Sequence, residues 1–334
     1  MEKIKIAHGS GGQYTYKLIN EVFVKYFDNP ILRQKEDSAV LPEKNLRPVF
    51  TTDTHVVKPL FFPGGDIGKL AVTGTLNDLA VMGAQPNWLS CGMIIEEGFS
   101  IDELEKIVRS MAKTADQENV KIVTGDTKVI EKGSCDGIFI NTTGMGYLAD
   151  SINFGVGQME PGDKILINGN IGEHAAAIIT SRQNFDIKFS TQSDCASVYS
   201  LIKELTDNLE SIKIMRDPTR GGLATTLNEF VMDQDMGILL DEEKIPIREQ
   251  VKGFCEPLGF DPLYLANEGK FITVIGEDEA SQALSIMHDH KLGKNAQLVG
   301  QVTSQNPGRV ILKTTIGSKR ILDMLSGEML PRIC

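Results

Sequence analysis

Apolar and polar positions along the chain follow two periods, and the changes between them mark the elements. Ser38–Leu41 and Pro48–Thr52, the latter ending at Asp53, read as strand-like segments. Asp66 then stands as an N-cap before a helix running to about Met82, with Gly83 as its C-terminal stop. Within that helix Asp66, Lys69, Thr73 and Asn77 recur at spacings of three and four, so they share one face, with Asp78 beside them. A Ser100-x-x-Glu103 capping box opens a second helix whose apolar stripe is Ile101, Leu104, Ile107, Val108, Met111 and Ala115. A strand over Val120–Thr124 leads directly to Gly125-Asp126-Thr127-Lys128, and another strand spans Gly137–Asn141.

The stretch from Gly155 to Gly162, with Pro161, is the best domain boundary. Beyond it the pattern predicts a strand over Asp163–Asn168 and helices over Gly172–Ser181 and Leu201–Leu209. The turn Asp217–Gly222 feeds a helix over Leu223–Met232, and a strand over Phe271–Ile275 precedes a helix over Glu277–His288. Strands and helices alternate unevenly, which suits two α+β domains better than one doubly wound sheet. The 334 residues exceed what one core usually spans. The expected division is 1–154, 155–315 and a mobile tail over 316–334. That tail could extend roughly 60 Å at ~3.3 Å per residue.

Composition narrows the function classes. With 41% hydrophobic and 24% charged residues the chain reads as an ordinary globular enzyme. A net charge of −11 and the lack of a Lys/Arg cluster argue against nucleic-acid binding. No apolar run approaches a membrane span, and the amino-terminal stretch lacks a signal-like apolar core, so the expected location is the cytoplasm. Cys91, Cys135, Cys195, Cys255 and Cys334 are scattered without a C-x-x-C pair, which implies reduced thiols, the internal four as small buried apolar residues. The histidines offer no H-E-x-x-H, so a structural zinc site is not expected.

The chemistry-bearing residues lie elsewhere. His8-Gly-Ser-Gly-Gly12 leaves backbone N–H groups free to approach an anion, without being a Walker A loop. Gly144-Met-Gly146 mimics a dinucleotide fingerprint, but no helix pattern follows it, so the match reads as chance. Asp37, Asp53, Asp78 and Asp126 offer the hard oxygen ligands that suit Mg²⁺ held jointly with phosphates; each taken singly is equally a turn or cap residue. Asp78, flanked by apolar helix residues, needs a partner if buried. Lys69 and Lys128 are phosphate contacts or solvated surface charges. The sequence closes on Pro331-Arg-Ile-Cys334, read from its residues either as an accidental terminus or as a thiol free to swing between sites, with Arg332 favouring its thiolate and the α-carboxylate of Cys334 opposing it.

Together, His8–Gly12, Thr52-Asp-Thr54, Asn77-Asp-Leu-Ala-Val-Met-Gly-Ala84, Gly125–Lys128, Asp217-Pro-Thr-Arg-Gly-Gly222 and Pro331–Cys334 resemble the HypE family of NiFe-hydrogenase maturation proteins. That family lies within the aminoimidazole ribonucleotide synthetase-like superfamily. The resemblance implies two α/β-sandwich-type domains, a flexible C-terminal tail, and an ATP site formed across a homodimer. There Gly11 and Gly12 cover the phosphates, Lys69 and Asn77 bind with them, and Asp37, Asp53, Asp78 and Asp126 hold Mg²⁺ and phosphate. It implies a HypF-like carbamoyltransferase partner that loads Cys334 with a carboxamide. ATP-dependent dehydration then makes a thiocyanate, with Glu268 and Lys128 as candidate proton acceptors, and a HypC–HypD-like scaffold receives the cyanide for iron. The alternatives are another synthetase or kinase of the superfamily, or a nucleotide-gated scaffold without turnover. A selenophosphate synthetase would need a reactive residue near the first glycines, and no cysteine precedes Cys91.

Overall fold

The computed structural model describes residues 12–18, 39–40, 47–182, 191–327 and 333–334. Gly11, Asp37, Pro331 and Arg332, and the His8–Gly11 part of the glycine segment, lie outside the described residues. Helix α1 (Gly12–Leu18) and strand β1 (Ala39–Val40) come first, then β2 (Arg47–His55), the ribbon β3 (Phe61–Phe62) and β4 (Gly65–Asp66), and α2 (Ile67–Val81). Strand β5 (Gln85–Glu96), α3 (Ile101–Gln117), β6 (Lys121–Ile130) and β7 (Ile138–Leu148) complete the first domain. Its main sheet runs β1-β2-β7-β5-β6, antiparallel except for the parallel β5–β6 pair.

Local chemistry sets the ends of α2: Asp66 accepts from the Gly68 and Lys69 amides at its start, and Gly83, at φ 78°, follows its end. The helix is buried at nearly every position because the sheet covers one side and the second domain the other. Helix α3 sends Ile107, Met111 and Ala115 inward. Ile101 stays 75% exposed and Val108 is exposed too, because α3 packs chiefly along α2 rather than over a broad face. Strand β6 runs straight through Gly125–Lys128, so that motif sits mid-strand on the sheet's edge and not in a loop. Gly144 and Gly146 lie within β7, where a side chain at Gly146 would collide with the Gln85 carbonyl; strand pairing explains them without a nucleotide.

A short 3-10 turn at Val156–Gln158 leads into the second domain, inside the expected boundary. Its elements are β8 (Lys164–Ile167), α4 (Glu173–Arg182), α5 (Tyr199–Asn208), β9 (Ile212–Arg216), α6 (Gly222–Val231) and β10 (Gly237–Asp241). They continue with α7 (Glu249–Leu258), β11 (Ile272–Ile275), α8 (Ala280–Asp289), β12 (Gln297–Thr303), β13 (Val310–Lys313) and β14 (Lys319–Leu322). They form a seven-stranded sheet, β14-β13-β10-β12-β8-β11-β9, antiparallel except for β10–β13. The sheet reaches Leu322, past residue 315, where the sequence reading starts the tail. Among the described residues no helix is long and apolar enough to cross a membrane.

One hydrophobic cluster joins both domains, with Leu70, Ile107 and Ile140 from the first, Ile178 and Phe254 from the second, and Ile333. Asn77 clasps the seam. Its side chain is 2% exposed and donates to the Ala196 carbonyl at 3.1 Å and the Glu268 carbonyl at 3.3 Å, while accepting from the Val198 amide at 2.9 Å. Asn77→Ala takes the partner from the Val198 amide and the Ala196 carbonyl, while the Glu268 carbonyl keeps the Ala196 amide, so we expect a loss of roughly 2 kcal/mol in urea unfolding. An unchanged midpoint would contradict the clasp.

Candidate functional site

Four segments meet around Cys334: β2, the Asp217–Gly222 turn, the Asn267–Lys270 loop and the Ile333-Cys334 pair. The two-residue period of β2 turns Thr51, Asp53 and His55 to the face that α2 covers. Thr51 Oγ1 donates to Asp78 Oδ2 at 2.9 Å, giving that helix carboxylate a partner. Asp53 Oδ2 lies 3.4 Å from His55 Nε2. A side chain at Gly74 would press on both, so this glycine admits the pair beneath α2. His55 is buried and its ring nitrogens have no hydrogen-bond partner among the described residues. Burial lowers its pKa against the opposing pull of Asp53, so the ring is neutral.

The turn is fixed by its glycines. Gly221 and Gly222 take φ 79° and 60°, and a Cβ on Gly222 would lie 2.6 and 2.7 Å from the carbonyl oxygens of Leu265 and Leu263. The Pro218 carbonyl accepts from both the backbone amide and Nδ2 of Asn267, at 3.2 and 2.8 Å. Arg220 is thereby brought beside Cys334, Asp53, Glu268 and Asp78. Its pKa is raised, with Cys334 the strongest influence.

Glu268 is 4% exposed, and its Oε1 has no hydrogen-bond partner among the described residues. Burial first, then the charges of Asp53, Asp194 and Asp217, raise its pKa well above the ordinary value, against the pull of Arg220. The protonated carboxyl is favoured. Cys334 shares those neighbours. Burial pushes its thiol up to about 12; Arg220 acts downward, while Glu268, Asp53 and Asp217 add to the rise. The seated sulfur is therefore a thiol; Arg332, expected to favour the thiolate against the opposing α-carboxylate, lies outside the described residues. The Val56 amide donates to Cys334 O at 3.2 Å, and the Ile333 carbonyl lies 2.7 Å from His174 Nε2.

The residues expected from sequence divide accordingly. Asp53, Asp78, Glu268 and Cys334 gather around Arg220. Asp126 and Lys128 pair with each other at 2.7 Å on exposed β6. Asn77 faces the domain seam, with its amide committed to backbone groups there. Lys69 donates to the Gly64 carbonyl at 3.0 Å. Gly12 abuts the Leu325 carbonyl, which accepts from the Gln13 amide at 3.1 Å. Cys195 and Cys255 are buried as expected, whereas Cys91 and Cys135 are only half-buried. No three potential metal ligands gather among the described residues. An Mg²⁺ shared with phosphates needs only one or two protein carboxylates, so the hard oxygens of Asp53 and Asp78 fit that role. Sequence reasoning gave no role to Arg220, Asp217, His55, His174 or Asp194. Arg220 lies inside a motif already singled out, so the need for a cation among converging acids could have found it. Asp217 opens that same motif, whereas His55, His174 and Asp194 carry no local signal.

Two family models match the chain: the N-terminal domain of AIR synthase related proteins over residues 35–148 and their C-terminal domain over 160–313. The carbamoyl dehydratase HypE of Cupriavidus necator is 46% identical over 99% of this chain and 95% of that protein. A solved HypE–HypF complex matches with a TM-score of 0.88 at 47% identity, covering 92% of this chain and 99% of that one. A solved HypE in complex with ATP matches with a TM-score of 0.83 at 44% identity, covering 99% of this chain and 100% of that one.

The raised pKa of Glu268 has a stability consequence. The folded protein holds an extra proton between the unfolded value of 4.5 and the raised one. Its stabilising contribution is full below that unfolded value and is lost as pH rises through the raised one. Glu268→Gln stays neutral throughout. We expect the variant to match the parent near pH 4.5 and to become progressively more stable than it as pH rises from there in urea unfolding. A difference that does not grow with pH would contradict this.

Proposed function

The chain belongs to the carbamoyl dehydratase HypE family of the AIR synthase related proteins, and on that premise we propose that it dehydrates an S-carboxamide on its own Cys334 to a thiocyanate, using ATP. The observation that carries this reading is Cys334 placed under the electrostatic influence of Arg220 and of the buried Glu268, whose Oε1 has no hydrogen-bond partner among the described residues. A thiol held protonated is a poor nucleophile, but the same setting suits a sulfur that arrives already carrying its group. A kinase acting on a free metabolite gives no reason for the chain's own residues to occupy that place.

The reaction balances as S–C(=O)NH₂ plus ATP giving S–C≡N, ADP, phosphate and one proton. The amide oxygen attacks the γ-phosphorus and ADP leaves. Loss of one N–H proton, cleavage of the C–O bond with departure of phosphate, and loss of the second N–H proton form the nitrile. Glu268 receives a nitrogen proton; its raised pKa makes the ionised carboxylate a stronger base than an ordinary glutamate. Arg220 offsets the negative charge that builds beside it. Asp53 and Asp78 would hold Mg²⁺, which would supply charge compensation for phosphoryl transfer. Asp37, Gly11, Gly12 and Lys69 would complete the nucleotide site.

The exposed β6 edge supports the expected homodimer. Val123 and Val129 are 60% and 68% exposed there, and such an edge invites pairing with another chain. A nucleotide site shared between copies would give Asp126 and Lys128 a role beyond their mutual pair. The solved HypE–HypF and HypE–ATP structures support a HypF-like carbamoyl donor and the use of ATP. A HypC–HypD-like iron scaffold would accept the cyanide.

Mass spectrometry of the peptide carrying Cys334, after incubation with the carbamoyl donor system, tests the reading. We expect ATP-dependent loss of one water from the carbamoylated peptide. Glu268→Gln should bind ATP but form nitrile about 100-fold more slowly or worse, and Cys334→Ala should yield none. A bound nitrile on the Ala variant, or parent-like rates with Gln, would end the assignment.

A further inference from the structure

Two hydrogen bonds and one buried side chain hold Ile333 and Cys334, and neither hydrogen bond uses the sulfur. The Ile333 side chain is buried in the cluster that joins the domains. The Val56 amide takes Cys334 O at 3.2 Å, and His174 Nε2 takes the Ile333 carbonyl at 2.7 Å. His174 is fully buried on α4, with Phe62 edge-on at 5.6 Å between ring centroids.

Its proton positions follow from its partners. A carbonyl oxygen only accepts, so Nε2 carries the hydrogen. Burial lowers the His174 pKa, against the raising influence of Asp194. The ring is therefore neutral, and Nδ1 must accept from Ser193 Oγ at 2.7 Å. Ser193 Oγ in turn accepts from the Cys195 amide at 3.0 Å, which leaves its own hydrogen for the imidazole. The result is a directed relay from Cys195 N–H through Ser193 O–H and His174 N–H to the Ile333 carbonyl. Without that carbonyl the His174 N–H would be a buried donor lacking its partner here, a costly state. The relay also shares its segment with Asp194, whose carboxylate accepts from the Glu268 and Gly269 amides at 3.1 and 3.2 Å. The anchor of the chain's end and the anchor of the catalytic carboxyl are thus neighbours.

We propose that His174, oriented by Ser193, is a positioning residue that latches the Ile333 carbonyl and so holds the group on Cys334 against Glu268. The latch stands on geometry alone; only the identity of the held group rests on the dehydratase reading. Two measurements on the full chain separate them. The first is iodoacetamide alkylation of Cys334, followed by mass spectrometry with Cys91 and Cys135, half-buried as Cys334 is, as internal references. The second is nitrile formation on the carbamoylated chain.

His174→Leu removes the donor, and we expect about tenfold faster alkylation at Cys334 alone and about tenfold slower nitrile formation, an effect of about 1.4 kcal/mol. His174→Gln keeps an N–H that can reach the same carbonyl and should restore most of both. Ser193→Ala, which frees the ring's orientation, should fall between. A packing role alone would change all the cysteines together and would not be rescued by Gln. Parent-like alkylation in His174→Leu, or in Ser193→Ala should the Leu variant not fold, overturns the latch, as does a Gln variant as fast as Leu. If alkylation rises as expected while no chain forms nitrile, the latch stands and the dehydratase reading falls.

Discussion

Asp194 and Lys270 meet at 3.0 Å with side chains only 2% and 10% exposed. Two charges removed from water hold together only if their remaining hydrogen-bonding sites are filled. Asp194 Oδ1 accepts from the Glu268 amide, and Oδ2 from the Gly269 amide and the Lys270 ammonium. Lys270 also faces Glu173 at 3.6 Å, whose other oxygen takes Arg248 at 2.8 Å. The approach is so close that a side chain on Gly269 would run into the Asp194 carbonyl. This pair ties the Thr191–Val198 segment to the loop bearing Glu268, and the rest of the site inherits its position from that tie. Asn77 reaches the same two backbone stretches, Ser193 orients His174 from the adjacent residue, and Asn267 grips the Pro218 carbonyl that fixes Arg220.

The charge balance that results is uneven. Asp53, Asp194 and Asp217 all act on Glu268, and Arg220 is the cation that opposes them, while it also serves Cys334 and Asp78. One guanidinium divided among so many groups compensates none of them fully. Glu268 and the Cys334 thiol accordingly both hold their protons more firmly than usual. Such a carboxyl must first ionise, and its carboxylate is then a stronger base than usual, whereas a thiol poised this way is unsuited to attack. On the proposed reading, the place where the sulfur's group is dehydrated is therefore ill suited to loading the sulfur, and the chain's end must visit two places.

How far the sequence revealed this depends on how local each signal was. The limits of α2 were legible because Asp66 and Gly83 act within one turn of the helix. Its polar face was legible too, but not what it meets: Thr73 lies 3.3 Å from the Cys195 sulfur and Asn77 bonds the Ala196 carbonyl, so the face grips the second domain. Strand β5 was hidden because Pro86, Asn87 and Gly92 interrupt its alternation, and pairing with β6 and β7 makes it a strand regardless. Glu268 stood out through its family motif, while its isolation at Oε1 is a property of the assembled fold. His174 meets the tail across 159 positions of sequence, and no local pattern announces such a pairing.

The hold on the chain's end is modest by construction. Two hydrogen bonds contribute about 1 kcal/mol each, and burial of Ile333 about 2 kcal/mol. Fixing the backbone of Ile333 and Cys334 costs about 1–2 kcal/mol per residue. These nearly offset one another, so small changes at the sulfur decide whether the end stays seated. A carboxamide offers two N–H donors that Glu268 and its acidic neighbours can accept. A nitrile offers none. On the proposed chemistry, dehydration thus removes the very interactions that favour the seated pose, and the finished cyano group is released toward its acceptor by the loss of its own donors.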